Sequence, residues 1–136
     1  MKTALITGVS GGIGKAIAQK FIDEGYFVIG QYNANEDSII QFKSELQNQN
    51  KQDYFFSVKA DFSSSQQIQQ MMDTIYKSFK TINVLVNNSG VALYKLITDT
   101  TLEEWNKLFD VNIKSIFLIT NSVLKGMISA KSGSIV

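Results

Sequence analysis

Thr7-Gly8-Val9-Ser10-Gly11-Gly12-Ile13-Gly14 is the stretch that decides the fold, because four of the chain's nine glycines fall within positions 8 to 14. It follows a short apolar run, Ala4, Leu5 and Ile6, and precedes Ile13, Ala16, Ile17 and Phe21, which recur at helical spacing. A glycine-rich turn between a buried strand and a helix is the setting in which a phosphate can be held by main chain alone. Glycine permits a turn closed to other residues. Missing side chains let a diphosphate approach the backbone. The helix start adds free N–H groups and partial positive charge. Gly25 stands where that helix should stop.

The pattern continues outward as alternating short and long apolar segments. Residues 27–29, 54–58, 82–86 and 134–136 read as further strands, 54–58 being more polar and so nearer an edge. Ile39, Phe42 and Leu46 mark a second helix. Ser64 and Gln67 read as a capping box for a third, whose stripe is Ile68, Met71, Met72, Ile75 and Phe79. Thr101 and Glu104 read as a second box. They open a helix whose stripe is Trp105, Leu108, Phe109, Ile113, Ile116, Phe117, Val123 and Met127. Strand–helix alternation of this kind predicts a doubly wound parallel sheet of the Rossmann type. It would have three α/β/α layers and one domain over residues 1–136. Strands one and four should adjoin where the strand order reverses, so that their carboxyl ends frame a ligand crevice.

Composition removes several function classes. Cysteine and histidine are absent, which excludes disulfide scaffolds, thiolate nucleophiles, the usual zinc sites and histidine relays. Acid–base chemistry falls to Tyr, Lys, Asp, Glu, Ser or water. Thirteen cations, all Lys, face twelve anions for a net charge of +1, with none of the basic excess of a nucleic-acid binder. No apolar stretch approaches the roughly 20 residues of a membrane span. The expectation is a cytoplasmic protein without metal, membrane or nucleic-acid partners.

The glycine spacing is T-G-x-x-x-G-x-G, and three more motifs accompany it in order: Asp61 after the third strand, Asn87-Asn88-Ser89-Gly90 after the fourth, and Asn112 within the last helix. Together these resemble the short-chain dehydrogenase/reductase family, whose usual N-N-A-G motif has Ala where this chain has Ser89. Thr101 to Trp105, T-x-E-E-W, is most similar to the 3-oxoacyl-[acyl-carrier-protein] reductase branch. The resemblance spans the whole chain. It implies a nicotinamide dinucleotide held by Thr7, Gly8, Ser10, Gly11, Gly12, Ile13 and Gly14, by Tyr32 and Asn33 after strand two, by Asp61 and Phe62 at the adenine, and by Asn87, Asn88, Ser89 and Gly90. It implies that Asn112 belongs to the Asn-Ser-Tyr-Lys catalytic set. It further implies hydride transfer to or from a carbonyl or alcohol, a small-molecule or acyl-carrier-protein-bound substrate, and a homo-oligomer paired through the helix that carries Asn112.

Each residue also has a plainer reading. Asn87 and Asn88 suit any strand-ending turn. Asp61 with Ser63 is an ordinary cap ahead of a helix. Asn112 sits inside an apolar stripe, where an amide must find partners, and it either ties its helix to neighbouring backbone or holds water. After strand two the chain reads Gly30-Gln31-Tyr32-Asn33. The absent acid favours NADP over NAD, while the absent Arg removes the usual phosphate clamp. By the resemblance, the family's Ser and Tyr-x-x-x-Lys lie beyond Val136. Within the chain only Tyr76 and Lys80 have that spacing, on the helix before strand four and away from the crevice. The expectation is therefore a front part of the family's domain, inactive alone. Two other readings are a catalytically silent nucleotide-binding or interaction module and a flavodoxin-like receiver, which lacks its acidic cluster.

Overall fold

Apolar runs too short to be helices must hydrogen-bond to one another, and here they form one parallel sheet. The computed structural model describes all 136 residues. Strands β1 (Thr3–Thr7), β2 (Phe27–Tyr32), β3 (Phe55–Lys59), β4 (Val84–Val86) and β5 (Ser134–Ile135) lie in the order β3-β2-β1-β4-β5. All pairings are parallel, with Leu5 opposite both Ile29 and Leu85. β1 is buried along its whole length, as a central strand covered on both faces must be. β3 is an edge, as its polarity suggests, and β5 is the other, with both residues exposed.

Side chains alternate along β1 to fill two cores. Ala4 and Ile6 pack with Ala18 and Ile22 of α1 (Gly12–Asp23) and with Ile39, Phe42 and Leu46 of α2 (Glu36–Asn48). Leu5 points the other way. It joins Ile68, Met71, Met72 and Ile75 of α3 (Ser65–Ser78) with Ile119, Val123 and Met127 of α5 (Ser115–Ala130). The result is three layers, helices on both faces of a doubly wound sheet. No helix is long and apolar enough to cross a membrane.

Two details of the sequence reading are corrected. Ser64 caps α3 by accepting from the Gln67 N–H, but the Gln67 side chain turns away and accepts from the main-chain N–H of Asp61 at 2.9 Å, so the box is half formed. Thr101 and Glu104, by contrast, form both halves at the start of α4 (Leu102–Phe109). The apolar stripe assigned to the last helix is the larger correction. Of that stripe Val123 and Met127 are buried, but Trp105, Phe109, Ile113, Ile116 and Phe117 are exposed, and the buried line reaches Val123 and Met127 through Val111, Ser115 and Ile119. Between α4 and α5 the backbone stays helical but widens into a π-turn over Asp110–Lys114. α4, ahead of that turn, buries no residue, and the buried line begins only with Val111 inside the turn, so the stripe across residues 105–117 lies on the outer face.

Candidate functional site

At the carboxyl ends of β1 and β4, where strand order reverses, lies an open cleft of about 500 Å³, within the usual range for ligand sites. The glycine turn forms its floor. Gly8 has φ +72°, the left-handed region that glycine occupies freely. A Cβ on Gly14 would stand 2.2 Å from the Gly8 carbonyl oxygen, so bare backbone is the only fit where α1 packs on the turn. Gly12 differs: a Cβ there would meet no protein atom within 4 Å. Its missing side chain serves no internal packing and leaves the cleft open above the start of α1. That helix start carries no side-chain cap and no acid in its first turn. Its leading N–H groups and positive end of the helix dipole are therefore unanswered by protein.

Cross-strand hydrogen bonds hold the turn in place. The Thr7 hydroxyl, 2 % exposed, accepts from the main-chain N–H groups of Asn88 and Ser89, both at 2.9 Å. The Asn88 amide donates to the carbonyl oxygens of Thr7 at 2.9 Å and Gly8 at 3.2 Å. The Ser38 hydroxyl of α2 donates to the Ser10 carbonyl at 3.0 Å. The ends of β1 and β4 are thus stitched into one wall.

Asp61 lines the cleft beyond β3. One of its oxygens, Oδ1, accepts from the Ser63 main-chain N–H and hydroxyl, each at 2.8 Å. The Ser63 N–H is the main cause holding this carboxyl below its ordinary range; desolvation opposes it, and the Ser63 hydroxyl and the charge of Lys107 add to the lowering. The group is ionised at neutral pH with Oδ2 unengaged by protein. The bonds from Ser63 close a turn ahead of α3, whose cap is Ser64 and not Asp61, and they leave one carboxylate oxygen for a ligand.

The residues singled out from sequence divide by position. Gly8, Ser10, Gly11, Gly12, Ile13 and Gly14 line the cleft, as do Asn33, Asp61 and Phe62, and Asn88, Ser89 and Gly90. Ile13, read as part of the α1 core stripe, is instead 74 % exposed at the cleft mouth. Thr7, Tyr32 and Asn87 do not reach the cleft. Thr7 is the buried acceptor just described, Tyr32 packs in the core with Ile39 and Phe42, and the Asn87 amide donates to the Val136 carbonyl at 3.3 Å on the β5 side. Asn112 stands behind the wall in the π-turn. Its amide accepts from the Val91 N–H and donates to the Val91 carbonyl, both at 2.8 Å. This is the tie of helix to neighbouring backbone that its polar character in an apolar setting required. Tyr76 donates to the Ser122 carbonyl between α3 and α5, away from the cleft.

Three cleft residues escaped the sequence reading: Gln31, Lys107 and Val111. Gln31 is a polar residue inside the apolar run of β2, and that irregularity was its signal. Lys107 and Val111 share one helical face four residues apart, which the misplaced α4 stripe concealed. With Asp61, Lys107 is one of two ionisable side chains on the wall. No cluster of three or more potential ligands for a metal ion is present.

The model of the short chain dehydrogenase family matches residues 2–136. The chain is 30 % identical over 135 residues to the 3-oxoacyl-[acyl-carrier-protein] reductase FabG of Buchnera aphidicola subsp. Baizongia pistaciae, covering 99 % of this chain and 53 % of that protein. It is likewise 30 % identical over 141 residues to a short-chain type dehydrogenase/reductase of Picea abies, covering 99 % and 52 %. Among solved structures, a metagenomic short-chain oxidoreductase in complex with NADP superimposes with a TM-score of 0.90 at 30 % identity, over 98 % of this chain and 60 % of that one. The chain spans about half the length of the curated relatives it matches. A family model matched along nearly the whole sequence places this chain in the short-chain dehydrogenase family.

Proposed function

We propose that residues 1–136 form one dinucleotide-binding domain, the nucleotide-holding part of an NAD(P)-dependent oxidoreductase. The observation that carries this reading is the uncapped, acid-free start of α1 beneath the open space at Gly12. A diphosphate fits there: main-chain N–H groups answer its charge, and no side chain blocks its approach. The bound dinucleotide supplies the hydride exchanged with a carbonyl or alcohol. The chain's own residues do the holding. Asp61 Oδ2 is free to accept from the adenine's exocyclic amine, and Phe62 supplies apolar wall. Ser10 and Asn33 offer neutral hydrogen-bonding groups at the end of β2, with no carboxylate to repel a 2′-phosphate. That neutrality favours NADP over NAD. Asn112 holds residue 91, and with it one flank of the cleft, through its paired bonds to Val91.

For the whole protein, the first substrate class is a 3-oxoacyl thioester on acyl-carrier protein, supported by the similarity to reductases so described. A second copy paired over the exposed face of α4 and α5 belongs to the same reading. Titration of the purified chain with NADPH and NADH, read by calorimetry, tests it. Saturable binding, tighter for NADPH, is expected, without ketone reduction by these 136 residues alone. No binding of either coenzyme overturns the dinucleotide site, and turnover by this chain overturns the expectation that it is inactive alone.

A further inference from the structure

Gln31 sits at the end of β2, the strand flanked by β1 and β3, and is 2 % exposed. Its Oε1 accepts from the Gly8 main-chain N–H at 3.0 Å and from the Ser89 hydroxyl at 3.0 Å. Its Nε2 donates to the Ala60 carbonyl at 2.8 Å. Its own carbonyl accepts from the Val9 N–H at 3.0 Å. The amide orientation follows from these partners, since Gly8 can only donate and the Ala60 carbonyl can only accept. One side chain therefore joins the segments that leave β1, β3 and β4, three of the segments that line the cleft. Ser89, where the family's motif has Ala, has a direct partner in this amide.

We propose that Gln31, assisted by Ser89, is a positioning residue of the dinucleotide site. It sets the conformation of the glycine turn by holding Gly8. The reasoning is physical. Gly8 lies at φ +72°, and glycine has more backbone freedom to lose than any other residue. A turn of this composition keeps one shape only if its N–H groups are held. Gln31 holds the first of them from a strand that cannot move without breaking the sheet. The Ser89 hydroxyl, donating to the same oxygen, fixes the amide in the orientation that Gly8 needs. Site geometry held by locked neighbouring side chains binds more tightly than geometry assembled on binding.

This inference rests on the dinucleotide reading, and its test separates the two. Gln31→Met, nearly isosteric but without the acceptor, is compared with Ser89→Ala, the double variant and the parent chain. NADPH affinity, melting temperature and Gly8 amide hydrogen exchange are measured for each. Gln31→Met is expected to weaken NADPH binding by roughly ten-fold and to speed Gly8 exchange by a similar factor, because a partner of a held N–H is lost. Ser89→Ala should keep the fold and weaken binding by about three-fold, and the double variant should bind no more weakly than Gln31→Met, since Ser89 acts through Gln31. Unchanged affinity in Gln31→Met, or losses in the two single variants that simply add, overturns the proposal. If the parent chain binds no NADPH, the dinucleotide reading falls by itself. The positioning claim then turns on exchange alone: faster Gly8 exchange in Gln31→Met supports it, and unchanged exchange overturns it.

Discussion

Asn112 and Val91 are joined twice, the amide of one accepting from and donating to the main chain of the other at 2.8 Å in each direction. The pairing has the form of a strand-like bond pair, but it runs from a helix side chain to a loop. It anchors the π-turn of Asp110–Lys114 to the segment leaving β4. Because Gly90 and Val91 line the cleft, a helix irregularity and a cleft wall are fixed by one side chain.

Removing that side chain should loosen the wall without unfolding the domain. Asn112→Ala leaves both polar groups of a partly exposed Val91 to water, a loss of about 1–2 kcal/mol. Asn112→Asp keeps the acceptor but sets a carboxylate oxygen against the Val91 carbonyl, and should lose at least as much at neutral pH. Urea unfolding gives the stability, and Val91 amide exchange reports the local change, which should exceed the global one.

Gly12 and Gly14 should respond in opposite ways to the same small change. Gly14→Ala drives a methyl group to 2.2 Å from backbone that cannot retreat, and should cost at least about 2 kcal/mol. Gly12→Ala meets open space within a helix and should raise stability by up to about 1 kcal/mol. On the proposed dinucleotide site its methyl group would stand in the approach of the diphosphate, so coenzyme affinity should fall. Thermal unfolding and NADPH titration of both variants separate a glycine needed for packing from one needed for a ligand.

Thr7 illustrates how a motif residue serves the site from beneath it. Thr7→Val keeps the shape but removes an acceptor for two N–H groups, and each unpaired group costs about 1–3 kcal/mol. Thr7→Ser keeps the oxygen and should retain most of the stability. Denaturant midpoints distinguish the pair, and equal midpoints would show that Thr7 acts by packing alone.

Acid sensitivity should carry the mark of Asp61. Its carboxyl is held below the ordinary value of 3.8 in the folded chain, chiefly by the Ser63 N–H. A depressed folded value means that the contribution is fully present above the unfolded value and is lost as pH falls through the folded one. Asp61→Asn should therefore be less stable than the parent chain near neutrality, with the difference shrinking below about pH 4. Melting temperatures across pH 2–7 measure it, on the order of a few degrees for a small domain. A difference constant with pH would remove Asp61 as its source.

The outer face of α4 and α5 should make the chain self-associate. Ile113 and Phe117, one turn apart, are 59 % and 65 % exposed, and Trp105 stacks on Phe109 at 4.7 Å beside them. Contiguous apolar surface of this kind is rare on monomers. Sedimentation should show mass rising with concentration. Ile113→Lys with Phe117→Glu should abolish the rise and shift stability by no more than about 0.5 kcal/mol.

Local chemistry was enough to read the alternation of strands and helices, the parallel sheet, the reversal point between β1 and β4, and the glycine turn. Those properties depend on side-chain period and backbone freedom within a few neighbouring residues. The role of Asn112 was also partly legible, since an amide in an apolar stretch must find a partner. Which partner it finds, 21 positions away at Val91, is a property of the fold. The same division runs through the rest of the site. Gln31 reaches Gly8 and Ser89 from 23 and 58 positions away, and nothing in its local sequence marks those partners. Thr7, Tyr32 and Asn87 flank the right turns, but pairing at the strand ends turns them into the interior or toward β5. The outer face of α4 and α5 makes the point most directly. Periodicity says which side of a helix is apolar, but only packing decides which side is covered, and here the apolar side carrying Trp105, Phe109, Ile113 and Phe117 is left exposed.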